Sequence, residues 1–233
     1  MSSAETFPVV VAVDGTSGSG KSSTSRGVAA RLGLRYLDTG AMYRAMTWWM
    51  LRHGVDVHDA YAVAAHAAQP TIVAGSDPLA PTISLDGADV SREIRSEVVN
   101  ASVSPVSAVP EVRARLVALQ QQAIAEGFAG SGIVVEGRDI ASVVWPDAEV
   151  KVYLTADPSA RAARRAAQEG GSDVAATRAS LEARDKIDSS RAASPLKRAD
   201  GAVPIDTTPY TLDEVVDRVV MLVDAARLER ADA

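Results

Sequence analysis

The segment "GTSGSGKSS", Gly15 to Ser23, constrains this chain most. It follows a short β-branched run, Val9 to Val13, and leads into a stretch that reads as a helix, Lys21 to Leu32, closed by Gly33. Glycine, four residues, then Gly-Lys-Ser lets a backbone wrap around an anion with its N–H groups turned inward. The following helix adds its positive N-terminal end. In this pattern Lys21 reaches the β- and γ-phosphates of a nucleotide and the Ser22 hydroxyl a bound Mg²⁺. A chance Gly/Ser loop would lack the flanking strand and helix, and both are present here. Gly15, Thr16, Ser17, Gly18, Ser19, Gly20, Lys21, Ser22 and Ser23 are therefore the candidate cradle for a donor nucleotide.

The rest of the chain repeats the strand-then-helix theme. "LRYL" (Leu34 to Leu37), "GIVVEGRD", "VKVYL" and the weaker "GAVPID" are short apolar runs that end in polar loops, each a candidate parallel strand. Between them lie helical stretches from Ala41 to Gly54, Asp59 to Ala68, Glu111 to Glu126 and Leu212 to Leu228. Strands alternating with helices predict a three-layer α/β domain around a parallel sheet. Thr71 to Val90 breaks the rhythm with β-branched pieces separated by Gly, Ser, Asp and Pro, and Asp86-Gly87 is a hairpin signal. This segment predicts a small antiparallel sheet inserted between helices. Asp157 to Arg191 is helical, charged and poor in large apolar side chains, which suggests an exposed arm.

Composition removes several classes. A formal charge of −6 argues against a nucleic-acid-binding surface. No apolar stretch is long enough to span a membrane, and the N-terminus has no basic n-region, so we expect neither a membrane span nor a signal peptide. The absence of cysteine excludes disulfides and thiolate metal sites. The cytoplasm is the expected compartment. A guanine-selecting Asn-Lys-x-Asp is missing, since the single asparagine, Asn100, precedes Ala101-Ser102. That argues against a switch GTPase.

A kinase needs a second, anionic substrate held against the γ-phosphate, and guanidinium groups to neutralise both. Ligands in open α/β sheets bind beyond the carboxyl ends of strands. Three arginine clusters satisfy that rule: "YLDTGAMYR" with Thr39 and Arg44, "EGRD" with Arg138 and Asp139, and "RDKIDSSR" with Arg184, Asp188 and Arg191 at i, i+4, i+7. Arg184 with Asp188 also fits an ordinary helix salt bridge.

These residues carry a family resemblance over nearly the whole chain. "DGTSGSGKSS", "YLDTGAMYRA", "NASVSPVSAVPEVR", "VVEGRDIASVVWPDAEVKVYL" and "RDKIDSSRAASPL", in that order, resemble the bacterial cytidylate kinases, a branch of the nucleoside monophosphate (NMP) kinases. The resemblance implies a P-loop NTPase three-layer α/β fold with a parallel five-stranded sheet, an NMP-binding insertion with a small antiparallel sheet, and a helical lid. It implies a core formed by residues 1–40, 100–160 and 192–233, an NMP-binding domain at 41–99 and a lid at 161–191. The implied activity is Mg²⁺-dependent transfer of the γ-phosphoryl group of ATP to CMP or dCMP, by a monomer whose two closing regions need room to move.

Roles follow position by position. Thr39 and Arg44 match residues near the acceptor nucleotide. Ser104 and Arg113 match the pair that reads cytosine, with Asp139 as their acidic partner. Arg138 resembles an acceptor-phosphate ligand, Arg184 and Asp188 the pair on the ribose, and Arg191 the arginine that closes over phosphate. Lys21, Arg138 and Arg191 are thus the expected catalytic set. Arg161, Arg164 and Arg165 fall in the lid, with Arg161 and Arg165 expected at ATP. Thr39 stands where serine is common, and Glu136 where aspartate is common before "GRD". Two other readings remain open: a kinase for another small anion such as a different monophosphate or shikimate, and a nucleotide-dependent regulator that lost transfer.

Overall fold

A computed structural model describes residues 7–168, 171, 173–190 and 196–231. Its core is a five-stranded, wholly parallel sheet of β1 (Val10–Gly15), β2 (Arg35–Asp38), β6 (Ile133–Glu136), β7 (Val150–Thr155) and β8 (Val203–Asp206), ordered β2-β6-β1-β7-β8. The central strand shows why its sequence is continuously apolar. Val9, Val11 and Val13 pack on one face with Val28, Val216 and Val219. Val10 and Ala12 pack on the other with Met42, Leu116 and Val135. Both faces are covered, as parallel sheets require. Helices α1 (Lys21–Leu32) and α8 (Leu212–Ala231) supply the first layer, and α2 (Thr39–Arg52) and α5 (Pro110–Phe128) the second.

The inserted sheet is antiparallel, β3 (Ile72–Ala74), β4 (Ile83–Leu85) and β5 (Ala88–Asp89) in that order. Its turn places Asp86 at φ 51° and Gly87 at φ 84°. Two successive left-handed residues make a tight hairpin, and Asp-Gly is the pair that tolerates them. Asp86 also receives the Trp49 indole N–H at 3.0 Å, which ties the hairpin to α2. The β3–β4 loop reaches the core, where Ser76 O accepts from the Tyr36 N–H and Pro78 O from the Arg26 guanidinium.

Three features depart from the sequence reading. Helix α3 (Ala60–His66) is shorter than its apolar stretch. Helix α4 (Glu97–Ala108) runs through Pro105, which lacks a backbone donor. Ile140–Val144 forms a π-helical turn. The charged arm is two helices, α6 (Pro158–Gln168) and α7 (Val174–Ser190). It is not uniformly exposed: Arg161, Ala162 and Ala166 of α6 are buried. Small alanines and an arginine form that contact, so counting large apolar side chains misses it. Among the described residues no helix is long and apolar enough to cross a membrane.

Candidate active site

The glycine loop links β1 to α1 at the carboxyl end of the sheet. Gly15 must be glycine, because a Cβ there would lie 2.0 Å from Leu154 O of β7. The loop backs onto a cleft of ≈ 2000 Å³ lined by Gly18, Ser19, Gly20, Lys21, Ser22 and Ser23. A smaller cavity of ≈ 190 Å³ adjoins it, and Gly18, Lys21, Ser22, Arg44, Ser104, Arg165 and Arg184 line both. Two compartments therefore meet at Lys21 and Ser22.

Lys21 is buried, and its ammonium donates to Thr16 O at 2.7 Å. Burial, and next the Arg138 guanidinium, push its pKa down, opposed by Glu136 and Asp185. Ser22 donates its hydroxyl proton to Glu136 Oε2 at 2.9 Å, and the Tyr36 hydroxyl bonds the other carboxylate oxygen. Burial first, then Asp38, push the Glu136 carboxyl up, opposed by Lys21, Tyr36 and Ser22. Burial and the Glu136 and Asp38 charges hold the Tyr36 phenol far above its ordinary range, so it stays a donor. Thr39 donates to Glu136 O at 2.7 Å, joining the start of α2 to the end of β6.

The arginines converge from four elements. Arg138 spans the site: Nε to Asp188 Oδ2 at 2.9 Å, Nη1 to Gly15 O at 2.9 Å and Nη2 to Ser17 Oγ at 2.6 Å. Arg44 donates to Ile94 O and Asn100 Oδ1. Burial, then the guanidiniums of Arg184 and Arg165, push Arg44 down to about 9. Burial, then Arg138, push Arg184 down to about 10. Its Nε is buried without a hydrogen-bond partner among the described residues. Guanidiniums gathered so closely that Arg44 and Arg184 are pushed down by their neighbours form a receptor for anionic charge.

The far wall of the smaller cavity has a different chemistry. Arg113 of α5 and Asp139 after β6 form a buried ion pair, each 5% exposed. The Arg113 guanidinium also lies 5.7 Å over the Tyr43 ring, and Ser104 lines the cavity beside it. The π-helical turn that follows Asp139 is anchored by Asp14, whose carboxylate accepts the Ile140 and Ala141 N–H groups at 2.9 Å each.

The structure thus brings together Gly18 to Ser23, Thr39, Arg44, Ser104, Arg113, Arg138, Asp139, Arg165, Arg184 and Asp188. Asp188 is engaged by Arg138 as well as lying one turn from Arg184. Arg161 and Arg164 point to the loop itself: Arg161 donates to Ser17 O, and Arg164 grips Thr207, whose hydroxyl donates to Ser19 O. Of the three helix-α6 arginines, Arg165 is the one that lines both compartments. Arg191 lies outside the described residues. Sequence reasoning missed Asp185, which accepts the Ser17 N–H at 3.0 Å and pairs with Arg161. Its i, i+3 spacing from Asp188 was the available signal. Tyr36 and Asp14 were also missed. Among the described residues no group of three or more His, Cys, Asp or Glu side chains could hold a metal ion by itself.

A phosphate loop at the switch point of a parallel sheet, facing a cationic cleft, defines a P-loop kinase architecture. A gluconokinase from Sinorhizobium meliloti shares this fold at TM-score 0.50 and 16% identity, with 98% of this chain and 96% of that one covered. The family model described as cytidylate kinase matches residues 11–225. The curated cytidylate kinase of Streptomyces griseus is 57% identical over 220 residues, covering 94% of each chain. That of Streptomyces avermitilis is 56% identical over 225 residues, covering 96% of each. The chain belongs to the cytidylate kinase family, and is an enzyme of nucleoside monophosphate phosphoryl transfer.

Proposed function

We propose that the protein transfers the γ-phosphoryl group of ATP to CMP or dCMP, giving ADP and CDP or dCDP. The observation that carries this reading is the guanidinium cluster of Arg44, Arg138, Arg165 and Arg184 between the glycine loop and the Arg113–Asp139 cavity. It stands where two polyanions would meet. An oxygen of the acceptor phosphate attacks the γ-phosphorus, a new P–O bond forms, and the bond to the β-phosphate oxygen breaks in line, leaving ADP. The attacking oxygen is already anionic, so no strong base is needed. His53 accordingly spends its ring stacking on Trp49 at 3.8 Å. Lys21, Arg138 and, by resemblance, Arg191 are the catalytic groups that spread the developing charge over fixed cations.

Mg²⁺ fits the donor set at the loop. Ser22 and Glu136 offer hard oxygens beside Lys21, and a serine whose proton goes to a carboxylate turns its lone pairs outward. Ser22 would hold the ion, which, when bound with ATP, neutralises charge on the β- and γ-phosphates. In the acceptor compartment Asp139 would take the cytosine amino proton while Arg113 and Ser104 donate to its acceptors. Thr39, Arg44 and Arg138 would hold its phosphate, and Arg184 with Asp188 its ribose. Residues 1–40, 100–160 and 192–233 would act as core, 41–99 as acceptor domain and 161–191 as a lid that excludes water.

Incubation with γ-labelled ATP and CMP tests the reading. Label is expected in CDP. Label released only as inorganic phosphate, or retained in ATP, would overturn it.

A further inference from the structure

Glu136 is held from two sides by two different elements. Strands β2 and β6 run in parallel register, with Asp38 beside Glu136 and Tyr36 beside Val134. From β2 the Tyr36 hydroxyl bonds Oε1, and from α1 the Ser22 hydroxyl bonds Oε2 at 2.9 Å. Tyr36 is 1% exposed and Glu136 4% exposed, so neither bond competes freely with water. The three side chains form a continuous path from the buried strand to the lip of the donor cleft, which Tyr36 and Ser22 both line.

The direction of each proton gives this path a consequence. A phenol among carboxylates donates. A carboxylate that receives one proton on each oxygen cannot rotate without losing a bond. A serine hydroxyl has one proton and two lone pairs. With its proton committed to Glu136, its lone pairs face the cleft, where a hard cation is received. Without Tyr36, Glu136 is held by Ser22 alone, and fixing its carboxylate costs more side-chain entropy.

We infer that Tyr36 is a positioning residue for donor-metal binding: through Glu136 it fixes the Ser22 hydroxyl so that its lone pairs receive Mg²⁺. The role rests on the proposed use of Mg²⁺ with the donor nucleotide. Tyr36 touches neither nucleotide nor metal in this role. A ring that only filled space would tolerate Phe, which keeps its shape and removes the donor.

Calorimetric titration of ADP, with Mg²⁺ and with EDTA, tests the inference without turnover. The wild type is expected to bind ADP more tightly with Mg²⁺. In Tyr36→Phe that metal gain is expected to fall roughly tenfold, as losses of partners behind metal ligands generally do, with ADP affinity in EDTA unchanged. Glu136→Gln is expected to show a similar loss, and Tyr36→Phe added to Glu136→Gln no further loss, because the two act in series. A metal gain that survives Tyr36→Phe, or two losses that multiply, would overturn the inference alone. Should Tyr36→Phe not fold, a full metal gain in Glu136→Gln would overturn it. A wild type with no metal gain would sink the Mg²⁺ reading and this inference together, while label transfer from ATP to CMP remains a separate result.

Discussion

Asp139 sits buried in a cavity that already supplies its counter-charge, Arg113. In the proposed reading, this carboxylate accepts from the amino group of cytosine and repels the carbonyl that uracil carries there. Leaving buried polar groups unpaired rejects a wrong substrate by about 10⁴-fold in favourable cases. Asp139→Ala is therefore expected to abolish most of the preference for CMP over UMP in kcat/KM. An unchanged ratio would remove Asp139 from the selecting wall. At the donor side Lys21→Met is expected to lower kcat by orders of magnitude while the fold persists, as measured by turnover alongside circular dichroism. Near-normal turnover would refute its charge-spreading role. Lys21 was legible because its motif is local. Asp185 and Tyr36 were not: Asp185 meets Ser17 from 168 residues away, and Tyr36 meets Glu136 from 100. Sequence spacing carries no trace of such pairings; for Asp185 it shows only the i, i+3 relation to Asp188 on α7.

The elements that hold these residues differ in how openly the sequence declared them. β1, β6 and β7 were readable because strands buried on both faces must be continuously apolar. The π-helical turn after Asp139 was not, since its apolar "IASVV" has no helical period and its anchor is a single distant carboxylate. Burial raises the pKa of that anchor, Asp14, from 3.8 to about 6, against the lowering effect of the Ala141 and Ile140 amides. The folded state therefore binds this proton more tightly than the unfolded chain. Its contribution to stability is full below about pH 4 and is lost as pH rises through about 6, a change of about 3 kcal/mol. Denaturant unfolding between these values should show a shallower fall in Asp14→Asn than in the wild type. Equal slopes would contradict the assignment. For α7, amide exchange over Val174–Ser190 is expected to slow when both nucleotides bind, and exchange indifferent to them would remove this helix from the proposed lid.

At the scale of the whole molecule, the three-layer plan and the inserted sheet followed from alternation and from one Asp-Gly turn. The arrangement of α6 against the glycine loop did not, because Arg161, a charged residue, makes that contact at Ser17 and Gly18. In the proposed reading, closure of an acceptor domain and a lid needs both free of neighbours, so sedimentation is expected to give a 24.3 kDa monomer. A stable dimer that buries α7 would contradict that expectation. The central claim is that the cationic cleft joins a triphosphate donor to a cytidine monophosphate acceptor. ADP release from ATP and Mg²⁺, measured in parallel with CMP, dCMP, UMP, AMP and shikimate, tests it most directly. The account predicts rapid release with CMP and dCMP, much slower release with UMP, and little with AMP or shikimate. Equal release with UMP or AMP, or release with shikimate alone, would contradict it.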